Sequence, residues 1–421
     1  MLKKLKLNSL SQTAWKGIKT AAVVTAAAQF SAIATLITIG EIRKRRTPPI
    51  DGFPALPATR SFVKNNAVTT YSEGTQLYAD MLEAIDNAKE FIFFETYIWK
   101  SDPVGHAFKE ALYRAAERGV KVYCIFDGFA NLVVSPRFKK FKTHPNLQVI
   151  KIPNVRLGTL TLNLRHTGRD HRKIMVVDGH TGFVGGYNIG LLYAEQWRDT
   201  HVRIEGESVW ELENGFVDMW NYFRKNIHSA LPRKGARHWD GQIHAAHNRP
   251  SARLYPVRGM YLDAFERANS NIYLTSAYFI PDREILGALI AASNRGVDVK
   301  ILIPHNSNHV VVDWISAAFF EVLLEAGVEI WLYKDAMIHA KTATVDGRWT
   351  TVGTANLDRL SLTGNYEVNM QFHSKELAKR MEQIFLNDLT SASQLTYESW
   401  RKRPLVYWAV ERLLKPLGPL F

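Results

Sequence analysis

The chain is poor in cysteine: Cys124 is the single one in 421 residues, so no internal disulfide is possible and the fold must hold by burial. Cys124 lies in the apolar run Val120–Phe126 and reads as a buried strand residue rather than a nucleophile. A metal-ligand pattern is also missing. There is no Cys ligand set and no His-Glu-x-x-His, so neither a metal nor any other cofactor is expected. Net positive charge is scarce outside the ends. The net charge is +13, but residues 1–48 carry nine Lys and Arg against Glu41, and residues 397–421 carry five against Glu398 and Glu411. That leaves about +2 for the body, too little for a surface built to hold a polyanion, and no nucleic-acid partner is expected.

Long apolar runs are lacking with one exception, the twenty uncharged residues Ala21–Gly40. As a helix this run would span about 30 Å, the thickness of a bilayer core. The basic cluster Arg43-Lys44-Arg45-Arg46 after it has the character of a stop-transfer flank. An uncleaved anchor in the cell membrane is the expectation; a core or surface-lying helix and a cleaved signal peptide stay open. Residues 1–48 then form an anchoring segment, and the Pro-rich stretch from Thr47 to Pro57 leads into the body. At the other end, residues 397–421 are basic and aromatic, reading as an amphipathic interfacial helix over Leu405–Leu414 or as a helix docked on the body.

The length between these ends suits two domain-sized units. Ser72–Lys89 reads as a helix with Leu77, Met81, Leu82 and Ile85 on one face, then Phe91–Tyr97 as a strand, Val104–Arg118 as a helix and Val120–Phe126 as a strand. The series returns as a helix from Met260 to Asn269, a strand over Ile272–Phe279, a helix over Asp282–Asn294 and a strand over Val297–Ile303. The fragment Arg118-Gly119-Val120 recurs as Arg295-Gly296-Val297. A further helix is expected over Ser307–Ala326 and a further strand over Val328–Tyr333. These βαβ units predict an α/β fold with mixed, largely parallel sheets, one repeat over residues 49–245 and the other over 246–396, packed as one body around a shared site.

The chemistry is concentrated in a stretch that occurs twice, 168 residues apart. From His171, the chain places Lys173 at +2, Asp178 at +7, Gly185 at +14, Asn188 at +17 and Asp199 at +28; from His339 it places Lys341, Asp346, Gly353, Asn356 and Glu367 at the same offsets. On a strand, side chains two apart share a face, so each His and Lys point together. A lysine can neutralise a phosphate oxygen while an imidazole attacks or moves a proton. Asp178 and Asp346 belong to the candidate catalytic set by their place in the repeat. Each is an odd number of residues from its His and is followed by Gly, which reads instead as a strand-ending turn. Asn188 and Asn356 follow small residues that let the backbone approach a ligand, and their amides can donate to phosphoryl oxygens. Asp199 and Glu367 are natural partners for the far nitrogen of each His, fixing its tautomer. His166 and His180, near the first copy, read as loop residues.

The duplicated His-x-Lys-x4-Asp resembles the signature of the phospholipase D superfamily, and the likeness covers approximately residues 60–400. Within it, the runs Phe94–Trp99, Leu274–Asp282, Leu324–Gly327 and Gly353–Asp358 are similar to those of the bacterial cardiolipin synthase family. Many of its members have Arg four residues after the second Asn, where this chain has Leu360, and Pro where it has Ala277. The resemblance implies two phospholipase D-like α-β-α sandwich repeats. It also implies transfer of a phosphatidyl group from one phosphatidylglycerol to another, releasing glycerol. His171 would be the nucleophile forming a phosphohistidine, and His339 the general acid and base. The partners would be a phospholipid membrane, the bacterial inner membrane, and phosphatidylglycerol; the oligomeric state stays open. A phospholipid hydrolase or headgroup-exchange enzyme is the alternative, with a nuclease or a non-catalytic membrane scaffold further off.

Overall fold

The computed structural model describes residues 2–46, 52–154, 168–234 and 241–420. The linker residues 47–51 and His166 fall outside these. The chain opens with one helix, α1 (Leu2–Arg46), which contains the apolar run expected to anchor it. Ala22–Ile39 has a mean hydropathy of 1.8 and is long and apolar enough to cross a membrane.

The first repeat follows as β1 (Thr59–Val63), β2 (Asn66–Tyr71), α2 (Gly74–Asn87), β3 (Phe91–Thr96), α3 (Pro103–Glu117), β4 (Lys121–Asp127), β5 (Leu147–Ile152), β6 (Ile174–Val177), β7 (Thr181–Gly185), α4 (Leu191–Glu195), β8 (Trp197–Arg198), β9 (His201–Glu205) and α5 (Trp210–Phe223). The second runs β10 (Ile243–Asn248), α6 (Pro256–Arg267), β11 (Asn271–Ser276), β12 (Phe279–Ile280), α7 (Arg283–Asn294), β13 (Asp298–Pro304), α8 (Val310–Ala317), α9 (Phe320–Glu325), β14 (Glu329–Tyr333), β15 (Met337–Ile338), β16 (Lys341–Val345), β17 (Trp349–Gly353), β18 (Leu357–Asp358), α10 (Arg359–Thr363), β19 (Glu367–His373), α11 (Lys375–Leu389) and β20 (Ala392–Leu395). Two tail helices close the chain, α12 (Tyr397–Arg401) and α13 (Leu405–Leu414).

Each repeat builds one eight-stranded sheet, in the orders β1-β2-β9-β7-β6-β3-β4-β5 and β10-β19-β17-β16-β11-β13-β14-β20. Seven strands correspond one to one. The first sheet adds β1 at one edge and the second adds β20 at the other. The sheets are mixed, as expected, but they are not largely parallel. Only β3-β4-β5 and β11-β13-β14 run parallel, and every other neighbour within the two sheets is antiparallel. Helical crossovers force parallel pairing; here a tight turn joins β6 to β7 and β16 to β17, which forces the opposite, and β9 and β19 return antiparallel after the short helices α4 and α10.

Local chemistry starts and stops the crossovers. Asp102 caps α3 by accepting the Gly105 N–H with Pro103 following it, and Asp282 caps α7 by accepting from Glu284 and Ile285. After each helix, Gly119 and Gly296 take φ of +97° and +89°, a left-handed exit that favours glycine. The helix expected over Ser307–Ala326 is two shorter ones, α8 and α9. Its first residues serve a loop instead, with Asn308 accepting from the Tyr278 hydroxyl and Asp313 from the Ser307 N–H. At the break, Phe319 and Phe320 both pack into the core of the second repeat.

The sheets meet through a common core in which Val184, Val202 and Ile204 of the first pack with Val352, Val368 and Met370 of the second. A buried ion pair crosses the same boundary. Arg198 on β8 donates from Nε and Nη2 to Asp388 on α11, at 2.8 and 2.7 Å. Of α1, Gln29 donates to the Leu413 carbonyl at 2.9 Å, and Ala32, Ile33 and Leu36 pack against α8 and α13. The tail is thus docked on the body through Glu411 and Leu414 while Leu405, Val406, Tyr407 and Trp408 stay exposed. Because a lone buried guanidinium is costly, Asp388→Ala is expected to destabilise the solubilised protein by about 3–5 kcal/mol in chemical denaturation. Arg198→Met with Asp388→Leu should recover most of that loss.

Candidate active site

The two motifs lie just before and at the start of β6 and β16, with His171, Lys173 and His339 in extended segments and Lys341 on the strand. Each segment is pinned to the opposite repeat. His171 donates its backbone N–H to the Tyr366 carbonyl at 3.0 Å, and His339 donates to the Arg198 carbonyl at 2.6 Å. The second contact extends a short parallel pairing of β15 with β8; the first extends a bridge between Asp170 and Tyr366. Tyr366 and Arg198 immediately precede Glu367 and Asp199. The side chains follow the backbone, with His171 Nδ1 lying 3.0 Å from Glu367 and His339 Nδ1 lying 2.6 Å from Asp199. The two carboxylates expected against the histidines are each in contact with one, exchanged between repeats. An Nδ1–H held by a carboxylate leaves Nε2 of each ring for chemistry.

All of these groups are buried. Glu367 also accepts the Thr354 hydroxyl, and Asp199 accepts the Thr200 N–H at 2.7 Å. Gly186, which matches Thr354 in the other copy, is required by closeness: a Cβ there would lie 2.1 Å from Asp199 Oδ1. Aromatic rings fix the imidazoles further. Tyr97 meets His171 edge-on with centroids 4.7 Å apart, and Trp197 lies 4.9 Å from His339. Tyr278, at 6.2 Å from His339, separates it from a cavity of about 280 Å3 lined by Ala277, Trp314, Trp400 and Tyr407.

Lys173 and Lys341 each donate to the carbonyl of their own His. Burial pushes the Lys173 ammonium down to about 7 and Lys341 down to about 8, and it raises Glu367 to about 8. Burial first, and then both lysines, hold His171 and His339 well below the usual imidazole range. Each imidazole thus responds to the lysine of the other repeat, as one shared site requires.

Asn188 Oδ1 accepts the Ile98 N–H at 3.1 Å, which leaves its amide donors for another partner. Asn356 Oδ1 is buried and accepts no hydrogen bond among the described residues. Asp178 and Asp346 are elsewhere, which removes them from the candidate catalytic set. Both have φ above +50° in the turn after the strand. Asp178 accepts the N–H groups of Lys89, Glu90 and Phe91, and Asp346 those of Asn269, Ser270 and Asn271. They tie the far end of the hairpin to the start of β3 or β11. His180 is in the same turn as Asp178.

Sequence reasoning missed several neighbours. Arg172, between His171 and Lys173, is buried and grips Glu95 at 2.9 and 2.6 Å; its counterpart is Ala340, and that departure from the repeat was the available signal. Trp197 and Tyr97 had no counterpart in register to mark them. Among the described residues no cluster of three or more His, Cys, Asp or Glu has the geometry to hold a metal ion.

A family model described as the cardiolipin synthase phospholipase D-like domain matches residues 81–220 and again 261–389. The chain belongs to that family. Among its relatives are a cardiolipin synthase of Clostridium perfringens, 32% identical over 86% of this chain and 78% of the relative, and cardiolipin synthase 1 of Staphylococcus aureus, 34% identical over 85% and 74%. A solved structure of phosphatidylserine synthase from Haemophilus influenzae is 15% identical, covers 87% of this chain and 95% of its own, and superimposes with a TM-score of 0.66, a likeness of fold.

The lysine shifts set a pH dependence. As pH rises through about 7 to 8 the ammonium groups lose their protons, and with them the charge that would hold an anionic phosphodiester, so kcat/KM should fall on that side. Lys173→Arg, permanently charged, should move the falling limb to higher pH. A profile that Lys173→Arg leaves in place would remove Lys173 from phosphate binding.

Proposed function

We propose that this protein is a cardiolipin synthase that transfers a phosphatidyl group between two phosphatidylglycerol molecules. The observation that carries the reading is the exchanged pairing of His171 with Glu367 and His339 with Asp199, two oriented imidazoles beside two buried lysines. His171 Nε2 attacks the phosphorus, the bond to glycerol oxygen breaks, and that oxygen takes a proton from His339. A second phosphatidylglycerol then gives its hydroxyl proton to His339 and attacks the phosphohistidine, which frees His171 and completes cardiolipin. Both imidazoles have low proton affinity beside the two lysines. A bound phosphodiester anion offsets the lysine charge, which restores the proton that His339 must carry. Lys173, Lys341, Asn188 and Asn356 hold the phosphoryl oxygens, so that charge is stabilised by fixed donors.

The α1 helix anchors the chain in the bacterial inner membrane through Ala21–Gly40, with the exposed face of α13 at the interface. Full-length protein is then expected in the membrane fraction and released only by detergent; recovery without detergent would overturn the anchor.

Purified protein given phosphatidylglycerol in mixed micelles should yield cardiolipin and glycerol by mass spectrometry. Phosphatidic acid as the sole lipid product would identify a hydrolase instead. His171→Ala should abolish turnover, and His339→Ala should lower it roughly 10²–10⁴-fold.

A further inference from the structure

The loop between β4 and β5 has a composition that the site does not use. Phe129, Leu132 and Val133 are 47%, 52% and 86% exposed, and Arg137, Lys140 and Lys142 are exposed just after them. Three large apolar side chains beside a cationic cluster match an anionic lipid interface, where acyl chains take the former and phosphates the latter.

The position of the loop is fixed by the active site. Asn131 accepts the Trp99 N–H at 2.8 Å and donates to the Tyr97 carbonyl at 2.8 Å, and Tyr97 is the ring against His171. Phe129 lies under the Arg169 guanidinium at 4.2 Å, two residues before His171. The tip therefore stands at the mouth of the site on the His171 side.

The internal duplication supplies an independent reason. Val133 and Val310 each fall fourteen residues after the matched glycines Gly119 and Gly296, and Asn131 matches Asn308. In the second repeat this position begins α8, where Val310 and Val311 pack in one cluster with Ile33 and Leu36 of α1. The same point of the repeat that seats the membrane helix in one half is thus apolar, exposed and cation-flanked in the other.

We infer that the 128–142 loop is a second membrane contact, entering an anionic phospholipid bilayer so that the mouth of the site is held against the lipid from both repeats. The inference rests on the proposed membrane function, and its test reads position, not turnover. Full-length protein carrying Val133→Cys is labelled with an environment-sensitive dye and reconstituted in phosphatidylcholine vesicles with or without phosphatidylglycerol, containing brominated acyl chains. Native Cys124 is fully buried and does not compete for the label. The dye at 133 should be quenched, more strongly with phosphatidylglycerol, whereas one at His180→Cys, at the opposite end of the sheet, should not. Quenching at 133 no greater than at 180 would overturn the inference, and quenching indifferent to phosphatidylglycerol would remove its anionic partner. Val133→Asp should reduce turnover on phosphatidylglycerol vesicles roughly tenfold or more and leave turnover on monomeric short-chain phosphatidylglycerol unchanged. An equal loss on both would make the loop a support of the site rather than a membrane contact. Failure of cardiolipin synthesis with quenching intact would refute the catalytic reading alone.

Discussion

The structure depends on the exchange of carboxylates between its two repeats. His171 takes Glu367 and His339 takes Asp199, and in each case the histidine backbone is hydrogen-bonded to the residue before that carboxylate. Side-chain and main-chain contacts therefore fix the same register, so a slip of one repeat against the other would break both. Neither repeat supplies both an imidazole and the carboxylate that holds it. The buried lysines bind the halves further, since removing an ammonium from water costs several kcal/mol unless opposite charge is near, and Lys173 and Lys341 each find Glu367 and Asp199 within electrostatic reach. The apolar core shared by the sheets and the Arg198–Asp388 pair hold the boundary across which this happens. Arg198 joins both networks: its carbonyl receives His339 and its guanidinium reaches α11.

Much of this is legible in the sequence because duplication preserves spacing. Identical offsets identify the His, Lys, Asn and carboxylate positions, and parity with the following glycine separates Asp178 and Asp346 from the chemistry, where the structure puts them at the hairpin ends. The exchange is not legible. A carboxylate at +28 has the same register whether it serves its own copy or the other, and only packing decides. Sheet direction was misjudged for a related reason: βαβ units are conspicuous at the start of each repeat, but the antiparallel pairings that follow rest on turns and short strands with weaker patterns. The break between α8 and α9 escaped because its cause is tertiary, the docking of Phe319 and Phe320 together with a loop held through Asn308.

The repeats are equivalent at the paired His, Lys and Asn positions and differ around them. Gly186 makes room for the shorter carboxylate Asp199, whereas Thr354 adds a hydroxyl to the longer Glu367. Arg172 braces the first motif through Glu95, and Ala340 leaves the second without such a brace. Tyr97 covers His171 where Ala277 holds the matching place, and His339 is covered instead by Trp197 and Tyr278. The two histidines thus sit in like frames but unlike surroundings.

The same difference extends outward. Past the matched asparagines Asn131 and Asn308, one repeat continues into α8 and takes up α1, while the other ends in an exposed apolar tip. Two further exposed leucines, Leu192 and Leu360, stand four residues beyond Asn188 and Asn356, related by the same duplication. Leu360 lies in α10, directly after the β18 strand that carries Asp358. The groups proposed to hold the phosphoryl oxygens are all buried, so under that reading a phospholipid has to be lifted partly from its bilayer to reach them. If the exposed tip of the 128–142 loop meets the lipid as inferred, it lowers the cost of that step by shielding acyl carbons from water, at about 0.8 kcal/mol for each methylene kept dry.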